Sequence, residues 1–246
     1  MTNLKSFENP IDVLVAGANG GIGRALVKLL LEDTNVRNVH ALSSKATTVN
    51  HDKLTTYVLD VGNESELESA LANINRLTMV IVAIGMLHNS KGLSPEKSYK
   101  HLSPVDMMES LYVNTVLPAI IAKHVMVKIP GKERAIFCAL SARIGSISDN
   151  RIGGWYSYRA GKSALNQIIK CLSIEARRTH SQTACVGLHP GTVDTWLSSP
   201  FQKSMAPNHK LFSPETAARY LLNVINHIKL EDSGSLYAWD GTIIPP

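Results

Sequence analysis

Short runs of Val, Ile, Leu and Ala alternate along the chain with longer stretches of helical periodicity. Several of the short runs are apolar at consecutive positions, which is typical of parallel strands buried on both faces of a sheet. The pattern predicts seven strands, at Asp12–Ala16, Val39–Leu42, Thr56–Leu59, Met79–Ala83, Ala135–Leu140, Ala184–Leu188 and Leu236–Ala238.

The stretches between these strands have the periodicity of helices. They predict helices at Ile22–Leu31, Ser65–Ile74, Met107–Lys128, Tyr156–Arg178 and Pro214–Ile228. Asn63 and Ser213 stand just before two of them, where residues that cap a helix N-terminus are favoured. Pro118 lies inside the long apolar helix and predicts a kink there, because proline lacks the N–H that a helix interior uses.

The alternation of strand and helix predicts the fold, because βαβ units build a mostly parallel sheet with helices on both faces. We expect an α/β fold: a single doubly wound, Rossmann-type domain over residues 1–246, with about seven mostly parallel strands. The irregular stretch Trp196–Phe212 combines helix breakers with apolar side chains. It predicts a lid loop over a site.

Composition excludes several classes of function. The chain has 246 residues and a formal net charge of +5, but its Lys and Arg residues are scattered, so no nucleic-acid partner is expected. Its three cysteines have neither metal-ligand spacing nor the number for a disulfide framework, and no metal site is predicted. Met1–Pro10 is polar and apolar runs such as Met79–Ile84 are short, so we expect a cytoplasmic protein without a membrane partner.

A glycine-rich turn follows the first predicted strand and precedes the first helix. Glycines there allow a tight turn and close approach of the backbone to a pyrophosphate, and the free N–H groups of the next helix attract phosphate. The predicted dinucleotide-binding residues of this turn are Gly17, Asn19, Gly20, Gly21, Ile22 and Gly23.

The end of the second strand bears on the choice between NAD and NADP. A carboxylate there would bind the ribose 2′-hydroxyl of NAD. This chain has Ser43, Ser44 and Lys45 instead, with Arg24 near the turn, and these groups can accept a 2′-phosphate. NADP is therefore favoured with NAD as the alternative, and Lys45 is equally compatible with a solvated surface position.

Asp60 follows the third strand, at the sheet edge where ligands bind in such folds. Its carboxylate can accept a hydrogen bond from the adenine amino group. The alternative is that Asp60 simply caps the following helix.

Tyr158 and Lys162 are four residues apart at the start of a predicted helix, and so lie on one face. The pKa of a phenol is about 10, and a nearby ammonium favours the phenolate and lowers that pKa. The pair can therefore act as a general acid toward a carbonyl or a general base toward an alcohol.

The order of these motifs resembles the short-chain dehydrogenase/reductase family, in its compact single-domain branch. The resemblance covers essentially the whole chain. It rests on Gly17-x-x-x-Gly21-x-Gly23, Asp60, Asn114, Tyr158-x-x-x-Lys162 and Pro190-Gly191, and residues 145–159 look most like the C-factor-like and sniffer-like carbonyl reductases.

The resemblance implies a role for each matching residue. Tyr158 would exchange a proton with the substrate oxygen, Lys162 would lower the tyrosine pKa and hold the nicotinamide ribose, and Asn114 would support a proton-relay water. Further residues that would contact the cofactor are Val61, Ala83, Ile84, Gly85, Pro190, Gly191, Thr192, Val193 and Thr195.

The chain departs from the family at the serine that hydrogen-bonds the substrate oxygen. Alignment on Gly145 puts Ala142 at that place. Ser141, at the end of the fifth strand, is the first candidate for the role, and Ser146 is the second. The family's Asn-Asn-Ala-Gly after the fourth strand is also replaced, by Val82-Ala83-Ile84-Gly85.

Two functions remain open from the sequence. The first is an NAD(P)(H)-dependent oxidoreductase acting on a small-molecule carbonyl or alcohol, with carbonyl reduction favoured. The alternative is a catalytically weak dinucleotide-binding regulatory or signalling protein. The substrate pocket would be lined by Leu87–Leu93, Ile144–Trp155 and Trp196–Phe212, whose Trp and Phe side chains suit an apolar or aromatic compound. The resemblance also implies a homo-dimer or homo-tetramer in which the predicted helices Met107–Lys128 and Tyr156–Arg178 pair. The alternative is that both faces of these helices are covered within the monomer.

Overall fold

The computed structural model describes residues 4–47, 49–204 and 210–246. Eight strands of the described residues form one sheet: β1 Ile11–Ala16, β2 Val36–Ser43, β3 Leu54–Val58, β4 Met79–Val82, β5 Ala135–Leu140, β6 Thr183–His189, β9 Leu236–Ala238 and β10 Ile243–Ile244. Their order across the sheet is β10-β9-β6-β5-β4-β1-β2-β3, and all neighbours are parallel except β9 and β10, which are antiparallel. A separate parallel ladder joins β7 (Thr192–Val193) to β8 (Leu211–Phe212). All seven predicted strands are present, while the short β7, β8 and β10 are additional.

Helices flank both faces of the sheet, as predicted. Their bounds are α1 Gly21–Glu32, α2 Glu64–Leu71, α3 Pro104–Leu111, α4 Leu117–Met126, α5 Tyr156–Thr179 and α6 Pro214–His227. Asn63 accepts a hydrogen bond from Glu66 N and Ser213 accepts one from Thr216 N, so both predicted N-caps are confirmed.

The predicted kink at Pro118 takes the form of a π-helical turn, Tyr112–Val116, between α3 and α4. Pro118 has no N–H to donate to the carbonyl of Asn114 four residues earlier. The helix widens there, and Leu117 N donates to the Tyr112 carbonyl, which is five residues earlier rather than the usual four.

The stretch Pro104–Met126 corrects one expectation, because it is long and apolar enough to cross a membrane by length and composition alone. In this fold it is a helix of the domain: α3 packs against α5, and Ile121 and Val125 of α4 are fully buried in the core.

Neighbouring strand residues point to opposite faces and supply two cores. Val13 and Cys138 pack with α1 and α6, whereas Leu14 and Phe137 pack with α2, α4 and α5. The strand order reverses between β1 and β4. In doubly wound sheets ligands bind at this point, beyond the carboxyl ends of the strands.

Candidate active site

The glycine turn lies at the reversal point and is closed by direct backbone contacts. Gly17 has a φ of +83°, and a Cβ added there would lie 2.7 Å from the Ala83 carbonyl oxygen at the end of β4. A Cβ at Gly23 would lie 2.1 Å from the Gly17 oxygen. Gly20 is the N-cap of α1 and has no side chain to occupy the first N–H groups of that helix. The turn therefore presents those N–H groups to an anion, as a pyrophosphate site requires.

A small cavity lies between the glycine turn and the end of β2. Arg24 and Ser43 line it together with Asn19, whose amide donates to the carbonyls of Lys45 and Ala46. None of its described lining residues carries a carboxylate. Lys45 and Ser44 are exposed. Arg24 is also exposed, but it lines this cavity and Lys45 does not.

Asp60 is exposed just beyond β3, and its Oδ1 accepts from Gly62 N at 2.9 Å. The helix that follows is capped by Asn63. The alternative role of Asp60 as the cap is therefore wrong.

Asn114 lies in the π turn, is completely buried, and fastens the segment that follows β4. Its Oδ1 accepts from Met86 N at 3.1 Å, and its Nδ2 donates to Met86 O at 2.8 Å. A Cβ added at Gly85 would lie 3.3 Å from Asn114 Oδ1 and 3.4 Å from Lys162 Nζ. The segment that follows β4 is therefore fastened at Met86 by one side-chain amide, next to Gly85.

Lys162 is 2% exposed, and its Nζ donates to the Leu140 carbonyl at 2.9 Å. The same Nζ lies 5.7 Å from the centre of the Tyr158 ring. Tyr158 is half-buried. The helical spacing thus brings the phenol and the amine together beside Gly85 and Asn114.

Burial sets the protonation of this pair. It lowers the pKa of Lys162 to about 7 and raises the pKa of Tyr158 above its usual value, because water is excluded from both charged forms. The lowering of the tyrosine pKa by Lys162 stays a prediction, and the burial of the phenol opposes it. The phenol is neutral at physiological pH, which is the form that donates a proton.

The two serine candidates both have partners within the protein. Ser141 is buried, and its hydroxyl donates to Asn166 Oδ1 on α5 at 2.6 Å. Ser146 is also buried, and its Oγ accepts from Asp149 N at 3.1 Å. Ala142, in an extended conformation next to Ser141, points to the other side of the chain and is half-buried. Sequence reasoning missed the partner of Ser141 because Asn166 is 25 residues away.

The segment after β6 reaches back to the glycine turn. A Cβ added at Gly21 would lie 2.5 Å from Thr195 Cγ2, and Gly191, at a φ of +77°, packs under Phe212. Thr192 and Val193 pair with β8, and Asp194 N donates to Phe212 O at 2.8 Å. The two ends of the predicted lid are thereby fixed together, while residues 205–209 of that stretch lie outside the described residues.

Aromatic side chains from three segments meet beside Tyr158. The Trp155 ring lies 6.4 Å from Tyr158 and 5.1 Å from Phe201, and His88 lies 4.0 Å from Trp196 and 5.9 Å from Phe201 between ring centres. We call His88, Trp155, Trp196 and Phe201 the aromatic wall. Phe212, which was expected there, packs instead against Tyr220 and Trp239 and anchors the lid.

Comparisons with known proteins identify the family of this chain. The family model for short chain dehydrogenases matches residues 12–206. An uncharacterized oxidoreductase of Schizosaccharomyces pombe is 27% identical over 94% of this chain and 96% of its own. The C-signal protein of Myxococcus xanthus is 29% identical over 57% of this chain and 78% of its own.

Solved structures share the fold across nearly the entire chain. The carbonyl reductase Sniffer of D. melanogaster has a TM-score of 0.82 at 23% identity, covering 96% of this chain and 99% of its own. An NADPH-bound carbonyl reductase from chicken fatty liver has a TM-score of 0.83 at 24% identity, and the match covers 97% of this chain and 95% of the reductase. The match to the family model over residues 12–206 places the chain in the short-chain dehydrogenase family of oxidoreductases.

Proposed function

We propose that this protein is an NADPH-dependent carbonyl reductase in which Tyr158 donates the proton. The observation that carries the proposal is the grouping of Tyr158, Lys162 and Asn114 around Gly85, next to the reversal point of the sheet. A dinucleotide held along the glycine turn would present its nicotinamide to this group.

A reduced nicotinamide, when bound, would supply a hydride for the carbonyl carbon, and the protein would supply the proton. The neutral Tyr158 hydroxyl donates it to the carbonyl oxygen, which leaves an alcohol and a phenolate. Lys162, at 5.7 Å from the ring centre, stabilises that phenolate in its protonated form. Pro118 leaves the Asn114 carbonyl without its usual helical donor, and this carbonyl is suited to hold a water that returns a proton toward Lys162.

The cavity at the end of β2 supports NADP over NAD. Arg24 and the hydroxyl of Ser43 suit a 2′-phosphate, and no described lining residue offers the carboxylate that a 2′-hydroxyl prefers. The chicken-liver structure with NADPH bound is consistent with this preference. Arg24→Ala should weaken NADPH binding far more than NADH binding.

The aromatic wall supports an uncharged aromatic ketone as substrate. Trp155 and Phe201 offer flat apolar surfaces on the Tyr158 side of the crevice, and aromatic rings pack favourably against such surfaces. The benzil reductase of Bacillus subtilis is 23% identical over 78% of this chain, and benzil is an aromatic diketone.

The test begins with fluorescence titration of the protein with NADPH and NADH, followed by NADPH oxidation against a panel of aryl and alkyl ketones. Tight NADPH binding with turnover of aryl ketones is the expected result. Tyr158→Phe should abolish turnover while leaving NADPH binding nearly intact, because the ring still fills its place. Tight binding without turnover on any ketone would favour the regulatory alternative, and absence of binding would overturn both.

We also propose that the protein is a cytoplasmic homo-oligomer. The outer face of α3 and the π turn carries a stripe of exposed apolar residues, Val105, Met108, Tyr112 and Val116, which we call the α3 stripe. Exposed apolar patches of this kind are typical of protein interfaces. Subcellular fractionation with a tagged full-length protein tests the location, and the oligomer is tested below.

A further inference from the structure

The first turn of the helix that carries Tyr158 is held by a residue outside that helix. Trp155 is the N-cap of α5, and an indole has no acceptor for the N–H groups of a helix. Glu96 takes this role from a loop 61 residues earlier: its Oε2 accepts from Ser157 N at 3.1 Å, and its Oε1 accepts from the Ser157 hydroxyl. The carboxylate is only 6% exposed and lies at the positive end of the helix dipole.

The backbone of Glu96 makes a second contact, because its carbonyl accepts a hydrogen bond from Trp155 N. Trp155 has a φ of +53° and is the one non-glycine residue in the described part of the chain with a left-handed backbone. That conformation is unfavourable for a large L-residue and persists only where surrounding contacts enforce it. It follows Gly153 and Gly154, which have φ values of +70° and +65°.

Arg159 makes further contacts with the same turn. Its guanidinium donates to the carbonyls of Gly153 and Gly154 at 3.1 and 2.9 Å. The three consecutive left-handed residues are therefore held by hydrogen bonds to both Glu96 and Arg159. The result is one fixed direction for the Trp155 ring, which faces Tyr158 and Phe201.

We propose that Glu96 is a positioning residue that aligns the Tyr158 hydroxyl and the Trp155 ring for the same substrate, a role that rests on the proposed carbonyl reductase function. Its carboxylate fixes the turn of α5 on which Tyr158 lies, and its carbonyl fixes Trp155. Because both contacts come from one residue of the loop that also carries His88, Glu96 links proton donation to the choice of an aromatic substrate.

Three variants test this role against a purely structural cap: Glu96→Ala, Glu96→Gln and, as the matched control, Ser103→Ala. Ser103 is the side-chain N-cap of α3, a helix without a proposed site residue. Glu96→Ala should lower kcat on an aryl ketone by about tenfold or more, since misplacement of a catalytic group by about 1 Å has effects of this size. The dissociation constant for NADPH should change by less than about threefold, because the glycine turn is untouched.

Substrate selectivity distinguishes the proposed role from a simple loss of stability, which would leave the ratio of kcat/KM values for two substrates unchanged. Glu96→Ala should reduce the ratio of kcat/KM for an aryl ketone to that for a small alkyl ketone, because the Trp155 surface is no longer fixed. Glu96→Gln, which keeps an acceptor for Ser157 N, should recover most of the rate. Ser103→Ala should change neither kcat nor the ratio. An unchanged kcat and ratio in Glu96→Ala would overturn the proposal; if that variant does not fold, Ser157→Ala decides by the same two readouts.

Fluorine NMR separates this proposal from the proposed function. The chain has three tryptophans, so 5-fluorotryptophan gives three resonances that single Trp→Phe variants assign. The Trp155 resonance should shift in Glu96→Ala while that of Trp239, which packs in the lid anchor, stays in place. An unmoved Trp155 resonance would overturn the role of Glu96 even if the reductase activity is present. Failure of the wild-type protein to reduce any ketone would instead overturn the proposed function. The shift of the Trp155 resonance would still show whether Glu96 holds Trp155 in place.

Discussion

At the scale of single residues, Lys162 is the least ordinary group in the site. A lysine that is 2% exposed and donates to a backbone carbonyl has lost most of its hydration, and burial lowers its pKa to about 7. The protein therefore bears the cost of a desolvated ammonium at acidic pH. That cost is relieved when the lysine releases its proton. The residue should therefore make the free energy of unfolding, as well as the activity, depend on pH.

The sign of this pH dependence follows from proton binding. Between about pH 7 and pH 10 the unfolded chain keeps the lysine proton while the folded protein releases it, so the free energy of unfolding should rise with pH. The slope from this one group is at most about 1.4 kcal/mol per pH unit. Lys162→Met should lack that rise in urea denaturation measured across the window. Lys170→Met, on the exposed side of the same helix, should keep it, and parallel curves for wild type and Lys162→Met would contradict the burial argument.

The substrate oxygen is the second question at this scale. Because the hydroxyls of Ser141 and Ser146 both have partners in the protein, we expect Tyr158 to bind the oxygen without a serine. Ala142→Ser should then add a donor and raise kcat by about tenfold, since a single donor to a developing oxyanion contributes at least this much. Ser141→Ala should lower the stability and leave kcat within about threefold of wild type. A loss of about a hundredfold in Ser141→Ala would instead assign the role to Ser141.

At the scale of elements, the part of the site that was predictable is the part built from neighbours in sequence. The glycine turn follows β1 directly and leads into α1, so the hydrophobic pattern was sufficient to predict it. Tyr158 is one helical turn from Lys162, so their spacing was sufficient to predict that they share a face. Glu96 and Ser157 are 61 residues apart, and nothing local in either segment indicates the contact. The environment of the Tyr158–Lys162 pair was not predictable for the same reason, because burial depends on segments that meet only in the fold.

The glycine turn makes an element-scale prediction, because its glycines are required to different degrees. A Cβ at Gly23 would lie 2.1 Å from the Gly17 carbonyl oxygen, which is backbone and cannot move aside, whereas at Gly20 the nearest atom is 3.3 Å away. Gly23→Ala should therefore abolish NADPH binding or folding, and Gly20→Ala should weaken binding much less. Fluorescence titration and thermal unfolding of the two variants measure this. Equal effects would show that the close contact at Gly23 does not determine the turn.

At the scale of the whole molecule, the domain leaves one helical surface uncovered. Val105 is 74% exposed and Met108 is 69% exposed, and with Tyr112 and Val116 they continue along the outer side of α3 and the π turn. The inner side of the same stretch packs against α5, so this surface is not needed for the core of a single chain. Sequence periodicity indicated an apolar helix but could not divide its residues between an inner and an outer face.

If the α3 stripe is the interface of a homo-oligomer, charge placed on it should separate the subunits without unfolding them. Val105→Lys combined with Met108→Lys should convert a dimer or tetramer into a monomer in light scattering coupled to size exclusion, because buried like charges without partners oppose association. Val127→Lys is the matched control, since Val127 is 75% exposed beyond the end of α4 and outside the α3 stripe. An oligomer that survives the double variant would place the interface elsewhere. A wild-type monomer would mean that the stripe is simply solvated, and the Tyr158 site would then have to function within one chain.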